Sequence, residues 1–120
     1  MSQKPSPERR NHPRLINNVP VRISREGEEA VTETINISRS GAYCRCSKYV
    51  EPMTKMKVSL LLPIRKHGKS NTRKISCEGV VVRTEEAEEE NCFYVAIFFS
   101  DITQRDAEAI ADYIQSYLEQ

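Results

Sequence analysis

Two short stretches hold the side chains best suited to chemistry. The first, Glu8-Arg9-Arg10-Asn11-His12-Pro13-Arg14, sets three guanidiniums within six residues. Each is a planar, permanently charged fork that can grip a phosphate or the O6/N7 edge of a guanine through paired hydrogen bonds. Pro13 biases His12 toward an extended backbone, so the segment reads as an open arm and not a helix. The second, Asn36-Ile37-Ser38-Arg39-Ser40-Gly41, follows about twenty residues later. It is a polar turn whose asparagine and serine can bond an amide or ring nitrogen. Its glycine lets the backbone turn tightly or pass close to a ligand.

Strand-like segments must position these residues. Val19 to Ser24 alternates apolar and polar side chains, with Pro20 marking an edge or bulge. Ala30 to Ile37 is rich in β-branched residues and delivers Asn36 at its end. Further strands are expected at Ala42–Ser47, Lys55–Leu62, Lys74–Arg83 and Cys92–Phe99. They are separated by a break at Pro52, a basic loop from Pro63 to Arg73 and an acidic, solvated hairpin tip at Glu85–Glu90. Thr103 has the look of an N-cap, with Asp106 in the first turn opposing the helix dipole. Ala107, Ile110, Ala111, Ile114 and Leu118 then recur at helical spacing, flanked by Tyr113 and Tyr117. Six short strands argue for a small antiparallel barrel or sandwich, and a short amphipathic helix must dock its stripe on it.

At 120 residues the chain is one domain with enough surface to bury a single core. An apolar fraction of 38% and a charged fraction of 29% describe an ordinary folded protein. A net charge of +1 argues against a dedicated polyanion-coating protein. Residues 1–8 read as a flexible lead-in. They contain no apolar signal region, and no window approaches a membrane-spanning length, so a cytoplasmic location without membrane insertion is expected. In that reducing compartment Cys44, Cys46, Cys77 and Cys92 are expected as free thiols acting as small hydrophobes. Their spacing lacks the paired C-x-x-C knuckles of zinc sites, and no metal is expected.

Taken in order, Arg10-x-x-x-Arg14 and Asn36-x-Ser38-x-x-Gly41 reproduce a two-part signature, R-x-x-x-R then [DN]-x-S-x-x-G, without substitution. With the strands and terminal helix that follow, the chain resembles the PilZ domain family from about Glu8 to Tyr117. The resemblance implies a six-stranded antiparallel Greek-key β-barrel with a C-terminal α-helix. It divides the chain into an arm (9–18), a barrel (19–100) and a helix (103–118). It further implies a bacterial receptor for the second messenger cyclic di-GMP. Arg10 and Arg14 would clamp phosphate and the Hoogsteen edge of guanine. Asn36 and Ser38 would hydrogen-bond a guanine and the adjacent phosphate, while Gly41 keeps the turn open. An arginine at the place of Arg9 goes with binding two stacked ligand molecules per protomer. Arg39, inside the turn, is placed either to add a phosphate contact or simply to face solvent. No cofactor beyond this ligand is implied. One feature departs from the family: a glycine common near the sixth strand is here Ala96, small enough for a packing adjustment.

Each motif also has a plainer reading. The arginines alone would be a solvated basic arm, and the turn alone an ordinary one held by its own side chains. His12 lies between motif positions without a partner base or nucleophile, and no catalytic set emerges, so no enzyme is expected. Three functions compete. The first is a nucleotide receptor that orders its arginine arm on binding and signals in trans to an unidentified protein partner. The second is a module of the same fold that binds a partner without nucleotide. The third, a barrel binding single-stranded nucleic acid through the Pro63–Arg73 charges, ranks last because stacking aromatics are sparse, and no DNA or RNA partner is expected.

Overall fold

The computed structural model describes residues 16–66 and 68–118. Six strands and one helix follow in order: β1 (Pro20–Arg25), β2 (Glu28–Ser38), β3 (Gly41–Cys46), β4 (Lys55–Lys66), β5 (Lys69–Glu86), β6 (Phe93–Phe99) and α1 (Gln104–Leu118). All pairings are antiparallel, and the strands close into a ring in the order β1-β2-β3-β6-β5-β4, β4 pairing back onto β1. Alternation explains the lining. Val21 and Ile23 of β1, Val58, Leu60 and Leu62 of β4, and Val95, Ile97 and Phe99 of β6 all point into one core.

The β1–β2 hairpin turns through Glu26 and Gly27, both with positive φ (53° and 83°), the backbone that a tight two-residue hairpin demands. β3 and β4 are not neighbours, so residues 47–54 must cross to the far side of the ring. They run along β5: the Met53 N–H donates to the Val81 carbonyl (2.6 Å), the Val81 N–H to Thr54 (2.9 Å), and the Thr84 hydroxyl to Val50 (2.5 Å).

The segment expected as a basic loop, Pro63 to Arg73, is instead the outer part of a long β4–β5 hairpin, paired continuously from Lys55↔Val80 to Lys66↔Lys69. Pro63 is tolerated there for a reason of topology. β1 pairs β4 only over Lys57–Leu60, so beyond that point β4 is bonded on one side, where a missing N–H does no harm.

Thr103 caps α1: its hydroxyl accepts the Asp106 N–H at 3.1 Å. The helix packs against β2 and β4 and buries Ala107, Ile110, Tyr113 and Ile114. Tyr113, expected beside the apolar stripe, is part of it, because the Asn17 side-chain amide satisfies its hydroxyl (2.5 Å) and removes the cost of burying it. No described helix is long and apolar enough to cross a membrane.

Candidate functional site

Arg9, Arg10 and Arg14 lie outside the described residues, as do His12 and the lead-in. Description starts at Ile16, two residues past Arg14, and here the chain is tied down firmly. Thr34, fully buried on β2, accepts the Val19 N–H (3.0 Å) and donates to the Asn17 carbonyl (2.8 Å), while the Asn18 amide donates to the Thr34 carbonyl (2.9 Å). With the Asn17–Tyr113 bond, these contacts fasten the root of the arginine segment to both barrel and helix.

Ile16 lines a concavity of about 640 Å³ on the outer face of the barrel, together with Asn36, Gly41, Tyr43, Arg83 and Ala96. Two β-bulges build it. The β2–β3 register steps from Thr34↔Cys44 to Asn36↔Tyr43, leaving Ile35 as an extra residue. Were Ile35 paired in regular register, the alternation that buries Thr34 would also turn Asn36 inward and Ile37 outward. With the bulge, Ile37 joins the core and Asn36 faces out. The β5–β6 register steps likewise from Val81↔Ile97 to Arg83↔Ala96, so Val81 stays inside while Arg83 is turned outward.

These registers place four side chains in one row across four strands: Asn36 on β2 opposite Tyr43 on β3, Tyr43 opposite Ala96 on β6, and Ala96 opposite Arg83 on β5. Ala96, the departure noted above, is the low floor between taller walls. A cluster spans that floor. The Tyr43 hydroxyl donates to Glu85 Oε1 (2.6 Å), Arg83 Nε pairs with Glu85 Oε2 (3.1 Å), and the Arg83 guanidinium lies 5.7 Å from the Tyr43 ring centre. Partial burial raises the Tyr43 phenol, and its bond to Glu85 adds to the rise. Glu85, read as part of a solvated tip, sits within β5 and organises this cluster. Nothing in the sequence marked Tyr43, Arg83 or Glu85, because only the bulged pairing brings them beside Asn36.

The turn residues play parts of their own. Ser38 is fully buried, and its Oγ accepts the Ser40 N–H and lies 3.2 Å from the Ser40 hydroxyl, so it shapes the turn from within. Gly41 is required by close approach. A Cβ there would lie 2.4 Å from the Ile97 carbonyl oxygen, and the neighbouring Phe99 N–H closes onto Ser40 O at 2.9 Å. Arg39 is half-buried in the turn and does not line the concavity.

A larger concavity of about 840 Å³ lies at the opposite end of β2, lined by Arg25, Glu26, Glu29, Lys55, Lys57 and Glu78. Its charges of both signs offset one another, and among the described residues no signature residue lines it. The cysteines are free thiols: Cys44 and Cys92 are buried, Cys46 and Cys77 half-buried. Burial, with Cys46 nearby, pushes the Cys44 thiol up to about 12, and no cluster of three metal-ligating side chains occurs among the described residues.

Among solved structures, the chain is similar to Bacillus subtilis inhibitor of motility (MotI/DgrA). The TM-score is 0.78 at 25% identity, over 92% of this chain and 52% of that one, so it spans about half the length of that protein. It also shares its fold with the PilZ domain of CeSA from a cellulose-synthesizing bacterium (TM-score 0.54, 12% identity, 89% of this chain and 98% of that). A search of curated proteins finds no match. The sequence matches the PilZ domain over residues 8–116, nearly its whole length. The chain belongs to the PilZ domain family.

Proposed function

We propose that this protein is a receptor for cyclic di-GMP, binding it between the arginine segment and the concavity at Asn36. One observation supports this reading above the rest. Asn36 of the second signature half lines a concavity that is also lined by Ile16, which follows Arg14 of the first half by two residues in sequence. The ligand presents two phosphates and two guanines, matching a site that pairs guanidiniums with an amide and a shaped turn.

In this reading, ligand holds the arginine segment across the row Asn36–Tyr43–Ala96–Arg83. A partner protein then recognises the composite surface, so the output acts in trans through a shift in population. The likeness to an inhibitor of motility supports an effector that works on another protein. Four exposed or half-buried groups bordering the concavity, Ile16, Val82, Phe98 and Tyr43, would contribute to that surface.

Isothermal titration calorimetry of cyclic di-GMP into the wild type, Arg10→Ala and Asn36→Ala tests the reading. Micromolar or tighter binding, lost in Arg10→Ala and weakened in Asn36→Ala, is expected. A stoichiometry of two that falls to one in Arg9→Ala would assign the stacked pair. Absence of heat together with an unchanged melting temperature would overturn the receptor and leave a nucleotide-free interaction module.

A further inference from the structure

We infer that Arg83 is a ligand-recognition residue, its guanidinium forming a flat shelf on which a guanine base of the ligand stacks. This rests on the nucleotide-receptor reading above and adds to it a wall of the site outside both signature motifs.

Three observations carry it. First, the bulge at Val82 turns Arg83 out of the barrel and onto the same row as Asn36, and the bulge at Ile35 does the same for Asn36. Bulges are concentrated beside functional sites because they re-aim a side chain that alternation would otherwise bury. Two of them facing one concavity both aim a polar group at it. Second, Arg83 is preorganised. Its Nε edge is held by Glu85 at 3.1 Å, and Glu85 is itself held by the Tyr43 hydroxyl at 2.6 Å. The guanidinium carbon lies over the Tyr43 ring, 5.7 Å from its centre. Third, the side chain is 61% exposed and its neighbour in the row, Ala96, is small, so the guanidinium can be reached from solvent.

The pairing with Glu85 decides which part of a nucleotide Arg83 takes. A phosphate would have to compete with, and sit close to, the Glu85 carboxylate, and like charges there repel. A purine ring uses the face of the guanidinium and leaves its edge-on bond to Glu85 intact, by the attraction that draws arginine onto aromatic faces. The Arg83–Tyr43 pair therefore contributes stacking, while the signature arginines contribute charge.

Calorimetric titration of cyclic di-GMP into wild type, Arg83→Ala and Arg83→Lys, each at two salt concentrations, tests this. Stacking predicts about a tenfold loss of affinity in Arg83→Ala. It also predicts no recovery in Arg83→Lys and a salt dependence equal to that of the wild type, since no phosphate contact is removed. Melting temperatures of the variants should match the wild type, because the side chain is exposed. Wild-type affinity in Arg83→Ala, or full recovery in Arg83→Lys, overturns the assignment while leaving the receptor reading intact. No binding by the wild type itself overturns both.

Discussion

Asn36 and Arg83 stand on one cross-strand row, separated by Tyr43 and Ala96, and each faces outward because a β-bulge precedes it. Three strand spacings of about 4.8 Å put them roughly 14 Å apart along the sheet. The floor of that span is Ala96. Ala96→Gln should fill the concavity from below, abolishing cyclic di-GMP binding while the melting temperature stays within a degree or two. Retained affinity in this variant would place the ligand elsewhere.

Gly41 faces the carbonyl of Ile97 too closely for any side chain. Gly41→Ala must push β3 away from β6 and should cost about 3 kcal/mol, at the upper end of overpacking penalties. Urea denaturation without ligand is the appropriate measurement. A stability equal to wild type would mean that the glycine serves the ligand alone.

Thr34 satisfies the buried Val19 N–H and the half-buried Asn17 carbonyl just past the arginine segment. Thr34→Val keeps the shape but strands the Val19 N–H and the Asn17 carbonyl, a loss of about 1–3 kcal/mol. Thr34→Ser should recover most of it. Chemical denaturation of the three proteins checks the order.

Arg73 reaches from β5 to Asp106 in the first turn of α1, at 2.9 Å and with both side chains largely shielded. A double-mutant cycle with Arg73→Ala and Asp106→Ala should return a coupling of about 0.5–1 kcal/mol that shrinks at high salt. Zero coupling would show that packing alone docks the helix on the ring.

Burial raises the Cys44 thiol from 9.0 to about 12, with Cys46 adding to the rise. The folded state thus keeps this proton to higher pH than the unfolded chain does. Its contribution is complete below about pH 9 and declines as pH climbs toward 12, by about 1.4 kcal/mol per unit. Cys77, raised to about 11 by burial and then by Asp101 and Asp106, acts in the same direction. Melting temperatures should therefore hold from pH 7 to about 9 and fall from pH 9 to 10, and Cys44→Ala should flatten the fall in part. Parallel curves would show that Cys44 does not couple folding to alkaline pH.

Much of this was readable along the chain. Alternation in Val21–Ile23 and Phe93–Phe99, the cap at Thr103 and the complete two-part signature all depend on neighbours a few residues away, so sequence alone determined the number and order of the strands, the helix and the family, but not the length of the β4–β5 hairpin. The row Asn36–Tyr43–Ala96–Arg83 could not be found that way. A bulge is a relation between two strands: Ile35 and Val82 are surplus only when measured against β3 and β6, and only the closed ring sets that count. The same holds for Pro63, harmless because β1 stops short of it, and for Gly41, needed because Ile97 lies across from it. Local pattern decides which face of a strand is apolar. Pairing across the ring decides where that pattern slips, and the slips turned Asn36 and Arg83 outward onto the same concavity.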